Sequence, residues 1–173
     1  MRAALQALDA VGPAVAATGA GVVAQPTRLI RVGESVSAGM RLSREAIIAF
    51  ARLTEDSNPL HHDLQAAQRA DFGEIIASGQ HLASRLMGLV ASHFSRPIDG
   101  VPRDMLCLNF NFAFKAPVFA EQDITLRWQV STVEPNTRRG GFIGHLDGNA
   151  RIAGRVCVVG RGTVLVMHSK DSR

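Results

Sequence analysis

Between Ser78-Gly79 and Phe94 lies the segment that most restricts what this chain can become. Leu82, Leu86, Leu89 and His93 recur at i, i+4, i+7 and i+11, with Ala83 and Val90 beside them, which predicts a helix with a continuous apolar stripe. Its remaining faces carry mostly Ala, Gly, Met and Ser, so it has little to offer water and is expected to be enclosed by protein. A lone enclosed helix needs a sheet wrapped around it. The second half of the chain supplies one. Leu106, Leu108, Phe110, Phe112 and Phe114 fall at alternate positions, as do Ile124, Leu126, Trp128 and Val130, the period of half-buried strands. Further strands are expected over 142–146, 152–159 and 162–168, with turn signals at Pro135-Asn136, Asp147-Gly148 and Gly160. Helices first and strands after predict an α+β domain in which an antiparallel β-sheet curls over one long central α-helix.

Ahead of that helix, residues 29–36 read as a short strand or edge segment, with Gly33 and Gly39 as turn points. Ser43 is placed to cap a helix whose first turn holds Glu45 and whose apolar stripe is Ile47, Ile48, Ala51 and Leu53, ending near Thr54. From 55 to 63 the composition turns polar around Asn58-Pro59, where the proline fixes its own backbone and pushes its predecessor out of the helical region. A shaped loop is expected there, followed by a short helix over 63–70. Residues 1–27, rich in Ala, Gly and Val, are expected to form a loosely ordered extension before a single domain over 28–173. Arg2 and the A-x-A triplets give this extension a weak likeness to a secretory signal. Asp9 and Pro13 interrupt its apolar stretch, however, and nothing approaches the length of a membrane span, so a cytoplasmic protein without a membrane span is expected.

The polar loop carries the chemistry. Asp56 and His61 are five positions apart on a segment stiffened by Pro59, a spacing able to bring a carboxylate and an imidazole to bear on a common point. Two proton-handling groups of this kind suit the dehydration of a 3-hydroxyacyl thioester, which removes a proton from C2 and protonates the hydroxyl leaving C3. The charge that develops on the thioester oxygen needs a donor, and Gly79 at the start of the long helix offers an unhindered backbone N–H with the helix dipole behind it. Taken singly, each feature also has a plain structural reading, a turn for the loop and a backbone convenience for the glycine.

Charge and composition narrow the partners. The chain of 173 residues holds 19 basic and 15 acidic side chains, a net +4 that favours an acidic small ligand or an acidic carrier. The basic residues are scattered and aromatics make up only 5%, poor material for stacking bases, so nucleic acid is not an expected partner. The two cysteines, Cys107 and Cys157, sit in apolar alternating runs and read as small buried hydrophobes. His61-His62-Asp63 is not read as a metal site, because neighbouring side chains on an irregular loop rarely converge and no further ligand is spaced to complete one. His81, two residues past Gly79, either lines the substrate channel or is a core histidine. Arg85, Lys115, Arg138 and Arg139 are either phosphate-binding or solvated surface charges.

The run Phe50-Ala-Arg-Leu-Thr-Glu-Asp-Ser-Asn-Pro-Leu-His-His-Asp63, then Phe72, then Ile76-Ala-Ser-Gly79, resembles the MaoC-like, or hydratase 2, family of hotdog-fold proteins. A D-x-N-P-x-H core with Phe-x-x-Leu upstream and a glycine-led helix about twenty positions later is far more restrictive than any of its parts. Lys115-Ala-Pro-Val-Phe119 followed by Asp123 resembles the segment that leads into the family's middle strands, so the likeness covers roughly 29–168.

This resemblance implies a hotdog fold and an (R)-specific enoyl-thioester hydratase, or in reverse a 3-hydroxyacyl-thioester dehydratase. Asp56 and His61 would hold and activate the water, Gly79 N–H would bind the thioester oxygen, and Asn58 would fix the loop. Asn58, Ser78 and His81 are also expected to help bind substrate. The substrate would be an acyl-CoA or an acyl-carrier-protein thioester, with coenzyme A entering only as part of the substrate and no other cofactor, and the protein would be a homodimer or a dimer of dimers. Two positions differ from common members: Glu55 stands where many have glycine, and Met87 falls near a position where some carry a serine that steadies the aspartate, with Ser84 one turn earlier. Met87 motivates an alternative, a catalytically weak acyl-thioester-binding module. A dehydratase of a branched or dicarboxylic acyl-CoA is a third.

Overall fold

The computed structural model describes residues 29–169, so the extension expected over 1–27 lies outside the described residues. The elements run β1 (Ser35–Arg41), α1 (Arg44–Leu53), a 3-10 turn (Pro59–His61), α2 (Leu64–Arg69), α3 (Gly79–Phe94), β2 (Arg103–Phe114), β3 (Asp123–Pro135), β4 (Phe142–Ile152) and β5 (Arg155–His168). One antiparallel sheet takes all five strands in the order β1-β3-β4-β5-β2, leaving β1 and β2 at its edges, and α3 packs against it. The expected α+β arrangement of a sheet on one long helix is therefore present.

The expected stripe is buried at Leu82 and Leu86 and then shifts by one residue: Val90 and Phe94 lie within the core, while Leu89 and His93 are only half-buried, because the sheet covers the i, i+4, i+8 row of α3. Trp128 of β3 meets it from the sheet, 1% exposed, and its indole N–H donates to the Leu86 carbonyl over 2.9 Å. Phe110 and Phe112 of β2 stand edge-on to the Trp128 ring, at centroid distances of 5.4 and 6.2 Å. A large indole close to a sheet needs room, and glycines provide it. A Cβ at Gly148 would collide with the indole, one at Gly160 would come within 2.8 Å of it, and one at Gly162 would collide with Phe110.

These glycines correct the expected strand breaks. Asp147-Gly148 and Gly160 lie inside long continuous strands, not in turns, because there the missing side chain serves packing and leaves backbone pairing intact. The turn between β4 and β5 falls instead at Ala153-Gly154, both with positive φ, the backbone that lets a two-residue hairpin follow strand twist. The first strand begins at Ser35 rather than at 29. Gly33, at φ +85, is in the turn before it, whereas Gly39 is a mid-strand residue.

Two expectations about exposure also change. The helix α3 is not enclosed on every side: Ser84, Arg85, Gly88 and Ser92 are open to solvent along a groove beside Ala38 and Met40 of β1, where the sheet ends. In β2 the alternation fails near its start, because a bulge between Cys107 and Asn109 shifts the register and leaves Leu106 and Leu108 43% and 50% exposed on the edge. Cys107 is exposed with them, while Cys157 is buried as expected.

A buried ionic cluster finishes the far end of α3. The Arg103 guanidinium, 2% exposed, donates to the carbonyls of His93, Arg96 and Leu29 and to Glu34 Oε1, and lies 5.0 Å over the Phe94 ring. Carbonyls at a helix C-terminus lack intrahelical donors, and a cation there also meets the negative end of the helix dipole. Glu34 balances that charge and also faces His93 Nε2 at 2.9 Å.

Substituting Gly148→Ala should destabilise the fold by about 1–3 kcal/mol through overpacking against Trp128. Gly39→Ala, with open space around it, should cost nothing in the same urea titration.

Candidate active site

The loop between α1 and α2 is built from short-range hydrogen bonds that leave it one conformation. Thr54 ends α1 with its hydroxyl donating to Phe50 O at 2.9 Å, Glu55 turns the chain at φ +56, and Asp56 N–H closes back on Ala51 O at 2.8 Å. Asp56 Oδ1 then accepts from Asn58 N–H at 3.0 Å, and Asn58 Oδ1 accepts from Leu60 N–H at 3.1 Å, capping the turn that Pro59 begins. Asp63 caps α2 by accepting from Gln65 and Ala66 N–H. Asn58 thus has the structural role expected of it, and Oδ1 of Asp56 is occupied in holding the loop.

His61 is held from the other side. It is 7% exposed, and its Nδ1 lies 2.8 Å from the Ile76 carbonyl oxygen. A carbonyl only accepts, so Nδ1 carries the proton and Nε2 of the neutral ring is the bare, basic nitrogen. That Nε2 lies 3.8 Å from Asp56 Oδ2 and 3.4 Å from the Asn58 side-chain nitrogen. At 3.8 Å the pair is too far apart for a direct hydrogen bond yet close enough for both atoms to contact one oxygen between them. The backbone around Ile76 is fixed in turn, with Ile76 N–H donating to Leu60 O and Ala77 N–H to Val118 O.

His61 and Gly79 open onto one cleft of about 430 Å³, walled by Phe72, Ile76, Leu82, Phe114, Lys115 and Val118 among others. Gly79 is the first residue of α3, where backbone N–H groups have no intrahelical acceptor and the dipole is positive. A side chain at this position would lie 2.8 Å from the Phe114 ring, so glycine is what lets that wall approach the helix end. Leu82 lines this cleft, whereas Phe110 and Phe112 pack on Trp128. Lys115 lies on the cleft, while Arg85 is on the β1 groove and Arg138 and Arg139 are in the β3–β4 hairpin.

Ser78 and His81 have other surroundings. Ser78 is buried as the N-cap of α3, its Oγ accepting from His81 N–H at 3.3 Å. His81 is stacked flat on Phe50 of α1, centroids 4.2 Å apart, and does not line the cleft. Its position in the motif made it look like a channel residue; the helical turn carries it toward α1 instead. Ser84 points to the β1 groove, so the serine expected near the aspartate has no counterpart there, and the Asn58 backbone N–H holds Asp56.

Burial, with a smaller effect from Arg85, lowers the His81 pKa from its ordinary 6.5, and Nδ1 has no hydrogen-bond partner among the described residues. The folded chain therefore holds fewer protons at this ring than the unfolded chain does, and stability falls as pH drops through about 6.5. His81→Leu should flatten that decline in melting temperature between pH 7.5 and 5.5 and should not destabilise the protein at neutral pH, since an unsatisfied buried nitrogen is removed.

Comparison with known proteins bears on the family and the fold. A mitochondrial 3-hydroxyacyl-[acyl-carrier-protein] dehydratase of Solanum lycopersicum is 24% identical over 62% of this chain, which spans 60% of that relative's length. An (R)-specific enoyl-CoA hydratase of Rhodospirillum rubrum is 28% identical over 79% of the chain and 88% of the relative. The solved structure of an (R)-hydratase from A. caviae involved in PHA biosynthesis superimposes with a TM-score of 0.67 at 28% identity, covering 79% of this chain and 96% of the other, and the fold is that of the hotdog proteins. The family described as MaoC like domain matches residues 23–141, well over half of the sequence, and the chain belongs to that family.

Proposed function

We propose that the protein is an (R)-specific enoyl-thioester hydratase, running in reverse as a 3-hydroxyacyl-thioester dehydratase. The observation that carries this is the unprotonated Nε2 of His61, with the ring fixed by the Ile76 carbonyl and the Asn58 amide, facing Asp56 Oδ2 at 3.8 Å on the cleft that Gly79 also lines. The names of the relatives support the hydratase and dehydratase chemistry and the (R) configuration.

In hydration, the thioester oxygen takes a hydrogen bond from Gly79 N–H at the positive end of α3, which draws electrons from the C2–C3 double bond. Water held between Asp56 and His61 loses a proton to His61 Nε2 while its oxygen bonds to C3. The imidazolium, stabilised by the Asp56 carboxylate, then returns that proton to C2 as the enolate-like charge collapses. The elements of water are added and nothing else is consumed. Dehydration retraces these steps. The apolar walls formed by Phe72, Ile76, Leu82 and Val118 suit an acyl chain, and Lys115 at the open side suits a phosphate-bearing carrier, whether coenzyme A or a carrier protein.

A second copy of the chain is part of the proposal. Leu106 and Leu108 are exposed on the unpaired edge of β2, and an apolar open edge invites strand pairing with another copy. Leu108→Lys should shift the protein toward monomer in sedimentation.

With crotonyl-CoA, the wild type should consume the enoyl absorbance, while Asp56→Asn and His61→Ala should each slow the reaction by about two to four orders of magnitude. Equal rates in wild type and both variants would remove the assignment. A panel of CoA and carrier-protein substrates of differing chain length separates the linear from the branched and dicarboxylic alternatives.

A further inference from the structure

The catalytic pair stands between two clefts that have no lining residue in common. His61 lines the first, whose walls are mainly apolar. Asp56 lines the second, a cleft of about 340 Å³ formed with Ala51, Arg52, Glu55, Ser57 and His62. The carboxylate oxygen not used to hold the loop, Oδ2, faces His61 Nε2 at 3.8 Å, so the pair connects one cleft with the other.

We propose that the second cleft is the route by which water reaches the pair in hydration and leaves it in dehydration, separate from the cleft that takes the thioester. This rests on the hydratase function proposed above. Once an acyl thioester fills the first cleft, with its oxygen on Gly79 N–H and its chain along Leu82, water has no access to C3 from that side. The face of Asp56 remains open. An arginine, a glutamate, a serine and a histidine line the way to it, and covering such groups with an acyl chain costs their hydration, whereas water satisfies them. Glu55 strengthens the inference: it holds a left-handed backbone at φ +56, which glycine adopts without strain, so a charged side chain is kept at the rim of this cleft at a conformational cost. His62 sits beside it with Nε2 at 3.3 Å from Ser57 O. The chemistry balances with water alone passing this way: its O–H bond breaks, its oxygen bonds to C3, and the proton moves through His61 Nε2 to C2.

The test is to narrow the second cleft from its two exposed walls, with Ser57→Trp and, independently, Arg52→Trp, and to follow crotonyl-CoA hydration. Leu53→Trp, on the exposed face of α1 and outside both clefts, is the control. Both cleft variants should lower kcat by about tenfold or more, leave KM for the thioester unchanged, keep the pH profile of kcat/KM, and melt with the wild type. Leu53→Trp should match the wild type. Wild-type kcat in both folded cleft variants overturns the water route while leaving the hydratase function standing. A raised KM with unchanged kcat places substrate in the second cleft and also overturns it, as does a displaced pH profile, which marks a disturbed Asp56. Absence of turnover in the wild type overturns the function and the route together.

Discussion

The hydrogen bond from the Trp128 indole to the Leu86 carbonyl joins the middle of α3 to the middle of the sheet, and the remaining architecture is arranged around it. An indole is the largest side chain available, and burying it between a helix and a sheet forces neighbouring positions to give way. Gly148 and Gly160 do so beneath it, while Phe110 and Phe112 meet it edge-on, the favoured geometry for aromatic pairs. With its N–H satisfied, the ring buries no unpaired donor, and the helix can neither slide nor rotate without losing both that bond and the surrounding packing.

A helix fixed at its middle presents fixed ends. At the C-terminus, Arg103 takes the last carbonyls and Glu34 balances it, a buried charge that is tolerable because each of its three nitrogens is hydrogen-bonded. At the N-terminus, Ser78 satisfies one of the free N–H groups and leaves Gly79 facing the cleft, with Phe114 close against it. The Gly79 N–H is thus positioned by contacts a helix length away as well as by the Ser78 cap. The Asp56–His61 loop is joined to the same frame through Ile76, whose N–H and carbonyl are both committed to the Leu60–His61 segment.

Within that frame Asp56 and His61 are held in different ways. His61 is deep in the domain and its proton is assigned by a single carbonyl, so the ring has one basic nitrogen and one direction. Asp56 is nearer the surface and spends one oxygen on a backbone N–H, leaving the other for chemistry. Thr54, Glu55 and Asn58 exist at their positions to keep that oxygen turned toward the imidazole, and the loop accepts a left-handed residue to do so.

Residue types at short spacing were enough to locate the helices and the α+β class, because helix stripes and caps are governed by interactions between residues a few positions apart, whereas the Asp56–Asn58–His61–Gly79 set stood out from a plain turn only through its resemblance to the family's motif. Glycine was where local reasoning failed: Gly148 and Gly160 look like turns along the chain, and only the arrival of Trp128 from another strand shows them to be packing slots. The same holds for Arg103, whose partners lie as far off as Leu29, and for His81, whose motif position gave no hint of Phe50 against its face. The edge position of β2 and the division of the site into two clefts depend on strand order and on which side of the loop each side chain meets, and these are properties of the assembled sheet and helix that no local pattern contains.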